Sequence, residues 1–305
     1  MTDLELSASV IRQIQDALFG WYERNRRDLA WRRDPDPYAT FVSEIMLQQT
    51  GVERVQPAFT RFINAFPNFE CLANAPKVEV LRAWAGLGYN RRAIRLQECA
   101  RVICREFGGV LPSNAKDLAR LPGVGSYTVA AIQSFVFGED VAALDTNIRR
   151  VVSRVWFGAP VTDREIRVAA TRLLPVGRGA EWNQALMDFG SLQCTADRPA
   201  CVICPLRDCC RAIARSSVAS VPRRIAEKPE PYRGSRRYIR GRIVAFLRDL
   251  QSNESVPIGD LEQTLIAAEI AIDRDSLQTL LRALADEGLC QVIDCSEGMT
   301  VGPPR

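Results

Sequence analysis

The chain has 305 residues, of which 47% are hydrophobic and 25% charged, so it is long enough for two or three domains with their own cores. No apolar run approaches the ~20 residues that span a bilayer. The N-terminus MTDLELSASV also lacks the basic start and apolar stretch of a signal peptide. These features exclude a membrane protein and predict a soluble protein of the cytoplasm.

The chain contains no histidine, which excludes Ser-His-Asp and Cys-His nucleophiles, histidine metal sites and histidine proton shuttles. Its net charge of +4 is small, but basic residues interleaved with Trp and Tyr cluster in RNRRDLAWRR, NRRAIR, IRRVVSR and residues 223–242. Such clusters suit a phosphate backbone, although solvated helix faces can have the same composition. Acid or base catalysis must depend on carboxylate, Tyr or Lys side chains.

Helical periodicity runs through the first two hundred residues, where apolar residues recur at intervals of three and four and strand alternation is absent. Short turns with Gly and Pro separate the helical segments. The predicted helices cover residues 8–24, 38–49, 52–65, 78–84, 91–107, 127–136, 146–156, 164–174 and 180–192. The fold class is therefore predicted to be mainly α.

A glycine turn in LARLPGVGSYTVAAIQSF predicts a helix-hairpin-helix, although a plain αα-hairpin has the same outline. One helix ends before Pro122, and Gly123 and Gly125 permit backbone geometries that a Cβ would forbid. The backbone of Gly123, Val124 and Gly125 can hold a DNA phosphate without reading sequence. Further on, Asp145 precedes a basic helix, where a carboxylate suits the stabilisation of a developing sugar cation.

Four of the ten cysteines have a spacing typical of metal ligands. In CTADRPACVICPLRDCC, intervals of seven, three and six residues separate Cys194, Cys201, Cys204 and Cys210. Four thiolates fit a tetrahedral zinc ion or a [4Fe-4S] cluster, and the single CxxC pair favours the cluster. Buried thiols without a metal are a third possibility, and Cys209 is an alternative ligand to Cys210.

The C-terminal part is predicted to be a separate module. Residues 216–235 have the paired Arg and the Pro of an extended linker. Residues 236–305 contain three helical segments and two β-prone runs around a Ser-Glu-Gly turn, which predicts a winged-helix-like module. Because its third helix is nearly neutral, we expect a clamp on the DNA backbone or a protein-docking module, not a reader of sequence.

Residues 10–215 closely resemble the MutY adenine DNA glycosylases of the endonuclease III superfamily, through motifs that occur in the same order. Besides the four-cysteine loop they are FVSEIMLQQT, LGYNRRA, LPGVGSYT, ALDTNIRR and WNQALMDFG. The resemblance implies a six-helix barrel domain with the helix-hairpin-helix (residues 31–136) and a [4Fe-4S] helical domain (residues 1–30 and 137–215). It also implies that double-stranded DNA lies against the cleft between them.

The implied activity is base excision repair, by hydrolysis of the N-glycosidic bond of adenine mispaired with 8-oxoguanine or guanine. We expect a monomer at the bacterial nucleoid. Glu44 would be the general acid that protonates the purine N7, since an enclosed carboxylic acid can supply a proton at neutral pH. Asp145 would stay ionised and stabilise the oxocarbenium-like sugar. Tyr127 stands where bifunctional relatives carry a Schiff-base lysine, so strand cleavage is not expected.

The other residues that the resemblance implies contact the flipped base or replace it in the stack. Gln184 would read the edge of the adenine, while Gln49 and Tyr89 would fill or wedge the vacated stack. Core packing is the alternative for the aromatic residues. The implied pocket positions are Arg27, Leu29, Trp31, Val52, Tyr127, Gln184 and Met187.

Other functions stay open at this point. Thymine glycosylases of the same superfamily can also carry Tyr at position 127, so thymine or uracil is an alternative base. A non-catalytic iron–sulfur DNA-binding regulator and an electron-transfer protein are alternatives of other classes, although no flavin or nicotinamide fingerprint occurs. Typical MutY proteins add a Nudix-type domain that recognises 8-oxoguanine. Here only residues 236–305 follow the linker, and they form a different module. How the enzyme recognises the base opposite adenine, and which base it prefers there, is therefore not predicted.

Overall fold

The computed structural model describes residues 6–33, 36–215, 232–296 and 298–305, so most of the predicted linker lies outside the described residues. The chain divides into two compact units. Unit 1 comprises Met1–Thr40, Ser113–Arg120 and Val124–Ile225. Unit 2 comprises Phe41–Pro112, Leu121–Gly123 and Ala226–Arg305. Within the described residues, no helix is long and apolar enough to cross a membrane.

The described chain is mainly α-helical, as the periodicity predicts. In chain order the α-helices are α1 (Ala8–Asn25), α2 (Ala30–Arg33), α3 (Pro37–Leu47), α4 (Val52–Ala65), α5 (Phe69–Asn74), α6 (Lys77–Ala83), α7 (Arg91–Phe107), α8 (Ala115–Arg120), α9 (Ser126–Phe135), α10 (Thr146–Val152), α11 (Asp163–Leu173), α12 (Gly179–Leu192), α13 (Arg211–Ala214), α14 (Arg236–Asp249), α15 (Ile258–Ala267) and α16 (Arg274–Asp286). The strands are β1 (Val256–Pro257), β2 (Gln291–Cys295) and β3 (Gly298–Gly302).

The predicted and observed helices differ where the helical segments are short or irregular. Helices α2 and α5 have four and six residues, too few to display a period of 3.6. The segment predicted as one helix over residues 146–156 is α10 followed by a π-helical turn, Ser153–Phe157. This turn ends at Gly158, whose φ of 66° lies in the left-handed region that favours glycine.

Local capping explains several helix ends. The Ser7 side chain accepts a hydrogen bond from the Val10 N–H at the start of α1. Thr162 and Glu165 form a capping box at the start of α11, so each side chain satisfies a backbone N–H of the other. Gly108 ends α7 in the left-handed conformation.

The core of unit 1 is built by α1, α10 and α12. Trp182 of α12 meets Phe19 of α1 edge to face at 5.6 Å between ring centroids, and Phe189 meets Trp21 at 5.1 Å. Both tryptophans are nearly completely buried. These aromatic pairs fix α12 against α1, which matters because both helices carry residues of the candidate site.

Unit 2 packs α4 to α7 around buried aromatic residues, including Phe62 and Trp84, whose ring centroids are 5.8 Å apart. It also contains the predicted three helices and hairpin of the C-terminal module, α14 to α16 with β2 and β3. A short additional strand makes the sheet order β1-β3-β2, antiparallel throughout. Arg82 of α6 donates hydrogen bonds to the carbonyls of Arg248 and Leu250 at 2.8 and 2.6 Å, so the module is packed on α6.

Candidate active site and DNA interface

Glu44 lies on α3 and is the buried acidic residue that the sequence singles out. Its side chain is 5% exposed, and its neighbours Ser43 and Met46 are fully buried. Removal from water disfavours the ionised form of a carboxyl group. The fold therefore encloses Glu44 instead of presenting it on the surface of α3.

Three exposed residues of unit 2, Gln49, Tyr89 and Glu269, adopt a backbone conformation that is rare outside glycine. Gln49, in the turn between α3 and α4, has a φ of 56°, and Tyr89, in the turn before α7, has a φ of 45°. Left-handed backbone is strained for a residue with a Cβ and is often associated with function. Tyr89 is also 46% exposed. Gln49 and Tyr89 are the two residues predicted to enter the base stack.

Arg92 joins the two turns, a role that the sequence analysis missed. Its guanidinium group is buried, and it also stacks on Trp84 and Tyr89, with 5.3 and 5.5 Å to the ring centroids. Burial lowers its pKa to about 10, so it stays protonated at neutral pH. The acceptors of its hydrogen bonds are the carbonyls of Ile45, Met46, Gln48, Leu87 and Gly88 and the hydroxyl of Thr50.

The helix-hairpin-helix consists of α8, a glycine turn and α9. Gly123 has a φ of 79°, and a Cβ there would stand 3.0 Å from Cδ of Arg95, so a larger residue would be strained and crowded. Gly125 precedes α9 and offers no side chain to cap it. An uncapped helix N-terminus favours an anion such as a phosphate.

Asp145 is the N-cap of α10. One carboxylate oxygen accepts a hydrogen bond from the Ile148 N–H at 2.6 Å, and the other accepts one from the Asn147 side-chain amide at 2.9 Å. Burial raises the pKa of Asp145 above its ordinary value, while these hydrogen bonds act in the opposite direction. Burial has the larger effect, whereas the sequence analysis considered only the donors that keep the group ionised.

Helix α10 is held closely against α12. A Cβ at Gly190 of α12 would stand 2.6 Å from Cβ of Asn147, so only glycine permits this approach. Arg150 of α10 donates to the carbonyls of Gly190 and Cys194, at 2.6 and 2.9 Å. These contacts couple the Asp145 cap to α12 and to the first predicted cysteine ligand.

Gln184, the predicted reader of adenine, faces Tyr22 of α1. The Tyr22 hydroxyl donates a hydrogen bond to the Gln184 Oε1 at 3.0 Å. This contact positions the Gln184 amide, whose Nε2 group is a hydrogen-bond donor. The sequence analysis did not single out Tyr22, whose only signal is its place in the apolar stripe of α1.

Asp188 organises the segment that carries three predicted pocket residues. Its fully buried carboxylate accepts hydrogen bonds from the backbone and side chain of Arg27 and from the side chain of Arg32. Burial alone raises the pKa of Asp188, but the hydrogen bonds and charges of these two arginines outweigh it and lower the pKa. Leu29 and Trp31, which lie between the two arginines in the sequence, are both buried. Asp188 lies in the motif WNQALMDFG but was not singled out.

The other pocket positions have simpler surroundings. Val52 is half-buried at the start of α4, Tyr127 packs at the edge of the core of unit 1, and Met187 is buried on α12. The predicted residues are divided between the units. Glu44, Gln49, Val52, Tyr89 and Gly123 belong to unit 2, and the other predicted catalytic, pocket and phosphate-binding residues belong to unit 1.

The four predicted cysteine ligands line one small cavity of about 20 Å³ in unit 1. Cys194 follows α12, Cys201 begins a short 3-10 turn that Cys204 follows, and Cys210 precedes α13. Cys209 is not part of the lining. Elsewhere around the cavity the lining is mostly apolar. Burial raises the pKa of Cys204 to about 11 and raises that of Cys210.

A cationic side chain also reaches this cavity. Arg154 donates to the Cys194 Sγ at 3.4 Å and to two backbone carbonyls beyond it, at Thr195 and Ala196. In the described part of the chain, no three Cys, Asp or Glu side chains converge as ligands of a single metal ion. The four thiols thus share a cavity without converging on one point.

Comparison with known proteins places the chain in a family. A family profile described as HhH-GPD superfamily base excision DNA repair protein matches residues 42–175. A protein named adenine DNA glycosylase from Mycolicibacterium smegmatis is 42% identical over 236 residues, which cover 76% of this chain and 79% of that protein.

Two solved structures are similar as well. The structure of a thermostable thymine-DNA glycosylase has a TM-score of 0.64 at 30% identity and covers 68% of this chain and 98% of its own. A trapped endonuclease III–DNA covalent intermediate has a TM-score of 0.61 at 21% identity and covers 70% of this chain and 99% of its own. At this identity the similarity is one of fold alone. The chain therefore belongs to the MutY-type adenine DNA glycosylases of the helix-hairpin-helix superfamily.

Proposed function

We propose that this protein removes adenine that is mispaired with 8-oxoguanine or guanine in double-stranded DNA, by hydrolysis of the N-glycosidic bond. The observation that carries the proposal is the surroundings of two carboxyl groups, one in each unit, at the positions that the resemblance assigns to the acid and the anion. Glu44 is enclosed by buried neighbours, and the Asp145 carboxylate, although burial raises its pKa, accepts two hydrogen bonds from α10 that favour its ionised form. A pair of carboxyl groups in different surroundings can divide the roles of acid and anion.

In the proposed reaction, Glu44 donates a proton to N7 of the flipped adenine. The bond between N9 and the sugar then breaks, and the bonding electrons leave with the protonated base. The Asp145 carboxylate stabilises the positive charge that develops on the sugar. A water molecule then adds to the sugar carbon and loses a proton to the Glu44 carboxylate, which restores the acid. Both carboxyl groups are needed, because one acts on the leaving group and the other on the cation.

Base recognition is assigned to Gln184. Adenine presents ring nitrogens as acceptors, and the Nε2 group of Gln184 is a donor that the contact between Tyr22 and the Gln184 Oε1 helps to position. The Asp188 carboxylate positions the segment with Arg27, Leu29 and Trp31. Val52 and Met187, which belong to different units, are each assigned a contact with the flipped base on the resemblance alone.

The DNA would be held at two kinds of contact. The backbone of Gly123, Val124 and Gly125 would bind a phosphate, and the strained turns at Gln49 and Tyr89 would fill the place of the flipped base. Because Tyr127 carries no amine, no Schiff base can form there, and the product is an intact strand with an abasic site.

Cys194, Cys201, Cys204 and Cys210 would hold a [4Fe-4S] cluster. The support is that all four thiols line one enclosed cavity with mostly apolar walls, and that Arg154 donates to one sulfur. When bound, the cluster supplies structural order to the cysteine loop. Arg150 connects this loop with α10, so the cluster also supports the position of Asp145.

The proposal is tested by cleavage assays on duplexes with adenine opposite 8-oxoguanine, adenine opposite guanine, thymine opposite guanine, or uracil, each with and without alkali. We expect excision of adenine, with strand breakage only after alkali. A preference for thymine would instead support the second candidate, a thymine glycosylase, which the 30% identity to a solved thymine-DNA glycosylase favours.

Two substitutions separate the catalytic roles from structural ones. Glu44→Gln keeps the shape but removes the proton donor, and should lower the single-turnover rate by about 10²–10⁴-fold while DNA binding persists. Asp145→Asn keeps an N-cap but removes the charge, and should also abolish excision. Asp273→Asn is the matched control, because Asp273 caps α16 through the Ser276 N–H at 2.8 Å. Normal turnover by Glu44→Gln would refute the assignment.

A further inference from the structure

The exposed start of α14 lies beside Tyr89. The Arg237 guanidinium donates a hydrogen bond to the Tyr89 hydroxyl at 3.4 Å. Arg237 also stacks on the Tyr232 ring, 5.3 Å from its centroid, and Tyr232 meets Tyr238 edge to face at 5.5 Å. All four residues belong to unit 2. The C-terminal module therefore contacts the side chain that is proposed to wedge the DNA.

Most of this group of side chains is exposed, and no acid among the described residues neutralises its arginine. Tyr232 is 56% and Tyr89 46% exposed. Within the described residues, no carboxylate forms an ion pair with Arg233, Arg236 or Arg237, whereas Arg240 further along α14 is paired with Glu287. Unpaired guanidinium groups next to exposed aromatic rings have the chemistry of a surface that binds nucleic acid.

The geometry of Arg237 suits two simultaneous tasks. A guanidinium group has five N–H donors in a planar fork, and the contact with Tyr89 uses only one of them. The other donors remain available for a phosphate, which Arg can bind in a bidentate manner. The aromatic contact on one face limits the rotation of the group, so less freedom is lost when it binds.

We propose that Arg237 binds a DNA backbone phosphate beside the base step that Tyr89 enters, and that it holds the Tyr89 ring in the wedging position. Tyr232 completes this surface as an aromatic platform under Arg237. The inference rests on the proposed function, because it takes damaged duplex DNA as the ligand. It gives the C-terminal module a specific task in the handling of the damaged base pair.

The test uses a duplex with a stable abasic-site analogue opposite 8-oxoguanine, with 2-aminopurine next to the analogue, and an undamaged duplex of the same sequence. The abasic analogue cannot be cleaved, so binding is measured without excision. The fluorescence of 2-aminopurine rises when it is unstacked and therefore reports the insertion of the wedge. Both readouts remain meaningful if the enzyme prefers a base other than adenine.

Arg237→Ala should weaken binding to the damaged duplex by roughly tenfold and reduce the slope of log Kd against log salt by about one. At saturating enzyme it should also reduce the 2-aminopurine signal. Arg236→Ala is the matched control, because Arg236 is exposed on the same helix without a contact to Tyr89 or Tyr232. It should leave the fluorescence unchanged and weaken binding to both duplexes equally.

A double-mutant cycle with Tyr89→Phe isolates the contact. Tyr89→Phe keeps the ring but removes the hydroxyl, so Arg237→Ala should reduce the fluorescence less in this background than in the unaltered enzyme. Equal behaviour of Arg237→Ala and Arg236→Ala in affinity and fluorescence would overturn the inference and indicate a surface for another partner. The cleavage assays decide the proposed function separately.

Discussion

Gly190 of α12 lies directly against Asn147 of α10, so that a Cβ at position 190 would stand 2.6 Å from the Cβ of Asn147. Alanine in a helix interior is normally about 1 kcal/mol better than glycine. At position 190 the close contact makes alanine destabilising instead, because neither helix can move without disturbing the Asp145 cap. The close approach of these helices thus links a packing requirement in the core to the position of the carboxylate that we propose as catalytic.

We predict that Gly190→Ala lowers the free energy of unfolding by about 1–3 kcal/mol, as expected for overpacking, and slows adenine excision. Gly20→Ala is the control. A Cβ at Gly20 in α1 would meet only the end of the Arg24 side chain, at 3.9 Å, so this change should be neutral or stabilising. Denaturant unfolding and single-turnover rates check both variants, and a stabilised Gly190→Ala enzyme would contradict the prediction.

Asp188→Asn should destabilise the protein by up to about 3–5 kcal/mol at neutral pH, because two partly buried arginines lose their fully buried counter-charge. The pKa of Asp188 is lowered in the folded state, so its stabilising effect is present above the unfolded pKa of about 3.9 and is lost as the pH falls through the folded pKa. The stability of the variant should therefore depend less on pH in this acidic range.

Urea unfolding at several pH values checks this prediction. Asp28→Asn is the control, because Asp28 pairs with Arg33 at the surface, where both side chains are more than half exposed. Exposed ion pairs contribute little to stability, so this variant should unfold like the unaltered protein. Equal effects of the two substitutions would show that Asp188 does not organise the Arg27 segment.

The sequence predicts the helices well because their signal is local. The stripe of α1 and the capping box of α11 each lie within a few turns of chain. The partners of Asp188 lie more than 150 positions away, and nothing local distinguishes Asp188 from a surface carboxylate. The motif LGYNRRA likewise presents two adjacent arginines, and only the fold shows that one is buried and the other exposed.

The raised pKa of Asp145 predicts how excision depends on acidity. Asp145 must be ionised to stabilise the sugar cation, so the rate should fall as the pH approaches its pKa from above. Because burial raises this pKa, the decline should occur at higher pH than for an ordinary aspartate. Asn147→Ala removes a hydrogen bond that lowers the pKa, and should shift the decline to still higher pH. Single-turnover rates across the acidic range check this, and a downward shift would contradict it.

The cysteine assignment predicts different outcomes for adjacent thiols. Purified protein should be brown, with a broad absorbance at about 400 nm from the iron–sulfur chromophore. Cys210→Ser should lose iron and absorbance, because Cys210 lines the cavity, whereas Cys209→Ser should keep both. Iron analysis and visible spectra check the pair. Stoichiometric zinc in the unaltered protein, or loss of iron in Cys209→Ser alone, would contradict the assignment.

Arg92→Lys tests whether one buried guanidinium fixes both turns of the proposed wedge. Lysine keeps the charge but has three donors on one nitrogen, so carbonyls on the Gln49 side or the Tyr89 side lose their partner. We expect faster hydrogen exchange in both turns and weaker binding to damaged DNA. Arg91→Lys, at the exposed neighbouring position, should change neither. Unchanged exchange in Arg92→Lys would show that the two turns hold their strained conformation without the guanidinium.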